Sequence, residues 1–129
     1  MRTNGHGKTP GSDVVRTAGA LSHLRWQTDE AIALPIGAVQ ASGDASPQVR
    51  SPQRLAEVGD VDAQIEHVRR VIVEALAGAL LGMEPMADDL HTRRDEIASL
   101  TLVAANMRLG AVGVALLELR IETLESVEA

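Results

Sequence analysis

Pro85 divides the C-terminal half of this chain into two apolar runs of unequal length, and that inequality constrains the fold more than any other feature. Asp60 offers a helix N-cap, and Val61, Ile65, Val68, Ile72, Leu76, Ala79 and Met83 recur at spacings of three and four, the stripe of an amphipathic helix. Met83-Glu84-Pro85-Met86 ends that helix, because proline cannot continue it. The second run opens near Asp88-Asp89, where acids complement the positive end of a helix dipole. Its apolar positions then continue to about Val127. Leu90, Ile97, Leu100, Ala104, Met107, Ala111, Val114 and Ile121 fall on one stripe, and Leu102, Leu109, Leu116 and Leu124 on a neighbouring one. Between Ile97 and Leu117 only Arg108 is charged, and a helix apolar on most of its circumference is a buried helix.

These spacings predict an all-α protein built on a long, coiled-coil-like antiparallel helical hairpin over residues 60–129. Helices of about 25 and about 40 residues, folded back at Pro85, leave roughly 15 residues, or about 22 Å, without a hairpin partner. Val112, Val114, Leu116, Leu117, Leu119, Ile121 and Leu124 lie in that overhang, and a second copy of the chain is its simplest cover. Gly78 and Gly82, one turn apart, and the small run Gly110-Ala111-Val112-Gly113 would let backbones approach closely there. Arg108, set in apolar surroundings, is expected to pair with an acid, with Asp60 or Asp62 nearest in the folded-back geometry.

The N-terminal half is organised differently. Residues 1–11, with Gly5, Gly7, Pro10 and Gly11, read as a flexible arm, and Ser12-Asp13 can cap a further helical segment over residues 12–34. Residues 35–59, rich in Gly, Ser and Pro, read as a linker containing a short helical turn after Ser51-Pro52. A stretch that long without structure is unusual inside a compact domain.

Chemistry is sparse. There is no Phe, no Tyr and no Cys, and Trp26 is the single tryptophan, so neither thiol nucleophiles nor an aromatic-lined pocket can be built. Trp26 is instead a candidate anchor against a partner, with core filling as the alternative. The net charge of −6 is concentrated in the C-terminal half, where residues 57–129 carry 6 basic and 14 acidic groups; a phosphate backbone would be repelled. Gly7-Lys8-Thr9 lacks the earlier glycine of a phosphate-binding loop, since Arg2 stands there. Asp88 and His91 have the i,i+3 spacing of metal ligands in helical bundles but lack the second pair and bridging glutamates that such a site requires. His67, beside Arg69 and Arg70, could act as a phosphoacceptor only on a dimeric hairpin.

No catalytic, cofactor or metal residues are therefore assigned. Arg108 at the centre of residues 97–119, with no flanking aromatic belt, argues against a membrane span. The polar N-terminus lacks a secretory pattern. The sequence points to a cytoplasmic or virion-associated structural or adaptor protein, acting through self-association or docking in a larger assembly, without nucleic acid. A phage component or an accessory subunit of a bacterial complex is a concrete form of it; eleven of the twelve basic residues are Arg, the bias of a GC-rich genome. A regulatory helical signalling or antitoxin-like binding module is the competing reading.

Overall fold

Residues 22–127 are described by a computed structural model, and they form a mixed α/β fold rather than an all-α one. A four-stranded antiparallel sheet is covered on one face by a helical hairpin. The strands are β1 (Leu24–Gln27), β2 (Ile32–Leu34), β3 (Gly37–Val49) and β4 (Val114–Val127). The helices are α1 (Pro52–Ala56), α2 (Val61–Met83), α3 (Asp89–Thr92) and α4 (Arg94–Leu109), with a 3₁₀ turn at Gly110–Val112. The expectation of a coiled coil with an overhanging second helix is corrected at that turn, where helix gives way to strand.

β3 is the centre of the sheet. β1 and β2 lie end to end along one of its edges, pairing Leu24 with Ala45 and Leu34 with Gly37 at their ends. β4 runs antiparallel along the other edge from Val49↔Val114 to Ala38↔Val127. The stretch read as a linker is therefore the central strand, although Gly, Ser, Asp and Pro are all poor strand formers. Pairing on both sides overrides that propensity, and the small side chains answer a packing need. A methyl group at Gly43 would lie 1.9 Å from the Arg120 carbonyl oxygen and 2.9 Å from Cζ2 of Trp26. Pro47 sits beyond the stretch paired with β1 and at a register shift against β4, where a missing N–H costs least.

Residues 22–34, expected to be helical, alternate instead. Leu24 and Trp26 point to the helices, Arg25 and Gln27 to solvent. At Thr28 the chain leaves the ladder, its N–H donating to the Ala41 carbonyl at 3.0 Å while its hydroxyl accepts from the Ala41 N–H at 3.2 Å. The side chain thus stands in for a strand carbonyl until β2 rejoins the edge. The proposed helix over residues 12–21 and the arm over residues 1–11 lie outside the described residues.

Local chemistry fixes the helix ends. The Ser51 hydroxyl caps α1, accepting from the Arg54 N–H, with Pro52 at its first position. Asp60 caps α2 by accepting from the Ala63 N–H at 2.9 Å, and Glu84, at φ 51°, closes it in a left-handed cap before Pro85. Gly113, at φ 76°, turns the chain from the 3₁₀ turn into β4, and its carbonyl accepts from the N–H groups of Arg50 and Ser51.

The core lies between the layers. Val68, Val71, Ile72, Ala75, Leu76 and Leu80 of α2 and Ile97, Thr101, Ala105 and Leu109 of α4 meet Trp26, Val39, Ala41 and the inward side chains of β4. Burying each of these large aliphatic side chains contributes about 1.5–3 kcal/mol. No described helix is long and apolar enough to cross a membrane.

Candidate interaction surface

The fold redistributes the residues expected at an interface. Val114, Leu116, Leu119, Ile121 and Leu124 form the inward face of β4 and are buried within the chain, while Val112 is partly buried in the 3₁₀ turn. Their apolar surface is thus covered by this chain's own helices. Leu117, on the same strand, remains exposed. Trp26 is only 2% exposed and packs over Gly43 as part of the core, which removes it as a surface anchor. Gly78 and Gly82 are exposed on α2, and a methyl group added at either would meet nothing within 4 Å, so no close backbone contact uses them in the monomer.

Among the polar candidates, Arg108 pairs with Glu74 across the helical hairpin, not with Asp60 or Asp62. Asp88 and His91 are linked by a turn hydrogen bond from the His91 N–H to the Asp88 carbonyl, and no group of three metal-ligating side chains occurs among the described residues. His67 is partly buried on α2. The Gly7-Lys8-Thr9 segment lies outside the described residues.

Three surfaces and a groove at the sheet edge present exposed chemistry. The first is the solvent face of the sheet, where Arg25 makes a bidentate ion pair with Glu122 and the hydroxyls of Ser42 and Thr123 lie 2.7 Å apart. The hydrogen bonds from Arg25, reinforced by its charge, hold the Glu122 carboxyl below its usual range, and the same bonds raise the Arg25 guanidinium. These groups satisfy one another and leave a wetted, polar sheet face.

The second surface is the outer edge of β4, which no described strand pairs. An edge of that length would template aggregation if left bare. Instead Asn106 of α4 uses its amide as a neighbouring strand would, donating to the Leu116 carbonyl at 3.1 Å and accepting from the Leu116 N–H at 2.6 Å. Arg94 donates to the Glu122 carbonyl further along. Helix side chains thus occupy part of the edge. A groove of about 510 Å³ at the opposite edge, between β1 and α2, mixes Arg25, Arg69 and Arg70 with Asp29, Glu30 and Glu66. Arg69 bridges its floor by donating to the Arg25 carbonyl at 2.8 Å. Interleaved charges of both signs select neither an anion nor a cation.

The third surface is the outward side of the helical hairpin. Leu100, Val103 and Met107 of α4 are 42%, 60% and 81% exposed, and Leu81 of α2 is 54% exposed. The three α4 residues recur at spacings of three and four and so share one face. That face lies opposite the buried line of Ile97, Thr101, Ala105 and Leu109. Ile97, Leu100, Ala104 and Met107 fall on one stripe of the sequence, and the structure divides it, burying Ile97 and exposing Leu100 and Met107.

No protein-family model matches the chain, and a search of curated proteins finds no significant relative.

Proposed function

We propose that this chain is a non-enzymatic structural or adaptor protein that acts by docking the outward face of its helical hairpin on another protein surface. The observation that supports this most directly is the line Leu100, Val103 and Met107, which leaves large apolar side chains in water on a regular helix whose other side is already fully buried. Single exposed aliphatic residues are ordinary, but an ordered row of them is the mark of a contact surface. The row is stiffly presented, because α4 is held by α2 on one side and by Asn106 and Arg94 on β4 on the other. A rigid helical face of this kind suits a component of a cytoplasmic or virion-associated assembly.

Site-specific photo-cross-linking in the cells that make the protein tests the reading. A photoreactive residue at Met107 should give a discrete protein adduct, while the same residue at Gln40, on the exposed sheet face, should not. Absence of any adduct from both Met107 and Val103 would remove the docking role.

A further inference from the structure

We infer that the outer edge of β1 is a docking site for an extended stretch of polypeptide, and that its occupant is this chain's own residues 12–21, folded back alongside β1. This surface is separate from the α4 row, and the inference stands independently of the docking role proposed there.

Register identifies what the edge offers. Leu24, Trp26 and Thr28 lie opposite Ala45, Gly43 and Ala41, and the Thr28 N–H donates to the Ala41 carbonyl, so these three residues turn their backbone groups to β3. The backbone groups of Arg25 and Gln27 therefore point away from β3, toward the groove of about 510 Å³ beside α2. No described strand pairs them. The Arg25 carbonyl draws a donor from the helix instead, accepting from Arg69 Nε at 2.8 Å, and its second lone pair remains for a strand N–H. Amide donors and acceptors alternating along a groove are matched by an extended backbone, the arrangement of β-strand addition.

Charge narrows the occupant. Within the groove Arg25 is paired with Glu122, Arg69 with Glu66 and Glu74 with Arg108, which is why it selects no free ion. Asp29 and Glu30, just past the end of β1, form no ion pair among the described residues, and Arg70 is the one groove cation in the same condition. The end of the groove beyond β1 thus carries a surplus of acid. Residues 1–21 are the basic part of the chain, with Arg2, Lys8 and Arg16 against Asp13, whereas residues 22–129 carry 9 basic and 17 acidic groups. A segment running back along β1 takes its earlier residues, Lys8 among them, toward Asp29 and Glu30.

Position and length select this segment over any other. The chain bends at Ser22 and His23, immediately before β1 begins at Leu24. β1 spans about 13 Å, and ten residues reach about 30 Å or more, so residues 12–21 can reverse and still cover the whole edge. Val14, Val15 and Thr17 favour extended backbone, and Gly19, between Ala18 and Ala20, suits the reversal. Successive side chains of a strand point to opposite faces, so in either register one of the two valines meets Val73 on the α2 wall. Tethering holds the segment at an effective concentration of order millimolar, which a peptide from another protein would have to displace.

The test is amide hydrogen exchange of the full chain, residue by residue, by NMR. The Arg25 and Gln27 amides should exchange about a hundredfold or more slower than unprotected ones. Replacing Val14→Pro together with Val15→Pro removes two strand N–H groups, and should return both amides to within about tenfold of the unprotected rate. Leu24 and Trp26, bonded to β3, should stay protected in that variant. Cross-strand nuclear Overhauser contacts between the Gln27 amide and residues 13–17 of the wild type identify the occupant without any substitution. Unprotected Arg25 and Gln27 amides, protection that survives the prolines, or absence of those contacts overturns the inference. Protection that grows with protein concentration would assign the edge to the segment of another copy, and overturns it as well.

Discussion

At the scale of single residues, the central strand depends on side chains that are absent. Gly43 lies where β3 shifts register against β4, with the Arg120 carbonyl on one side and the Trp26 ring on the other. A methyl group placed 1.9 Å from a backbone oxygen has nowhere to go without moving the paired strand. Trp26 is the largest side chain in the core, and it is seated by the missing Cβ. Gly43→Ala should therefore destabilise the fold by about 3 kcal/mol or more, the upper part of the range for overpacking, read as a lower urea midpoint. Gly78→Ala is the informative contrast, because its added Cβ meets nothing within 4 Å and alanine favours helix by about 1 kcal/mol. A neutral Gly43→Ala would mean that β3 and β4 separate more easily than their register implies. Asn106 shows the opposite economy, one amide replacing a strand's pair of hydrogen bonds at the edge of the sheet.

At the scale of elements, α1 and α2 are legible in the sequence and β4 is not, for a reason that lies in the pairing. Ser51-Pro52 and Asp60 specify helix starts by hydrogen bonding within a few residues, and Pro85 specifies a stop. β4 buries Val114, Leu116, Leu119, Ile121 and Leu124, spaced 2, 3, 2 and 3, because its pairing with β3 shifts register twice. A strand whose period of two is broken in this way repeats every five residues and places inward apolar side chains seven and eight apart, at 114 and 121 and at 116 and 124, which mimics two helical stripes. The readable signal is the strict alternation Leu117-Glu118-Leu119-Arg120-Ile121-Glu122 following the Gly110 and Gly113 breaks. Of the outward face of α4, the sequence stripe contains Leu100 and Met107 but groups them with the buried Ile97, and it leaves Val103 out, since which side is exposed depends on where the sheet packs. Glu122 on β4 also acquires a role that a helical tail would not give it. Glu122 joins β4 to β1 through Arg25, and Glu96 closes the first turn of α4 through Arg93. Hydrogen bonds from the arginines, reinforced by their charge, lower both carboxyl pKa values from the ordinary one, so the stability they contribute is present above the ordinary carboxylate range and is lost as pH falls through the folded values. The melting temperature should accordingly fall between about pH 5 and about pH 2, and Glu122→Gln should flatten part of that slope. Both pairs are exposed, so the difference should be small and should shrink in high salt. An identical slope in the variant would show that the Arg25 pair does not persist in solution.

At the scale of the molecule, the sheet is closed by its most distant segments. Ala38 pairs with Val127, and the intervening chain supplies the whole helical layer, so the two strands that bury the hairpin meet only after the hairpin has been spanned. Such non-local pairing is slow to form and leaves no self-sufficient half. The helices do not make a domain without it: the inner side of α4 is Ile97, Thr101, Ala105 and Leu109, and these need Leu116, Leu119 and the rest of β4 as much as they need α2. A chain cut after Val112 should consequently lose the native fold as a unit, with reduced helical circular dichroism and no cooperative thermal transition, instead of surviving as a stable hairpin. Retention of a sharp transition in that fragment would return the helices to the status of an independent module and demote the sheet to an appendage. The outcome also bears on the surface of α4, because a face presented by a helix that exists only within the completed sheet can engage a partner only after the whole chain has folded.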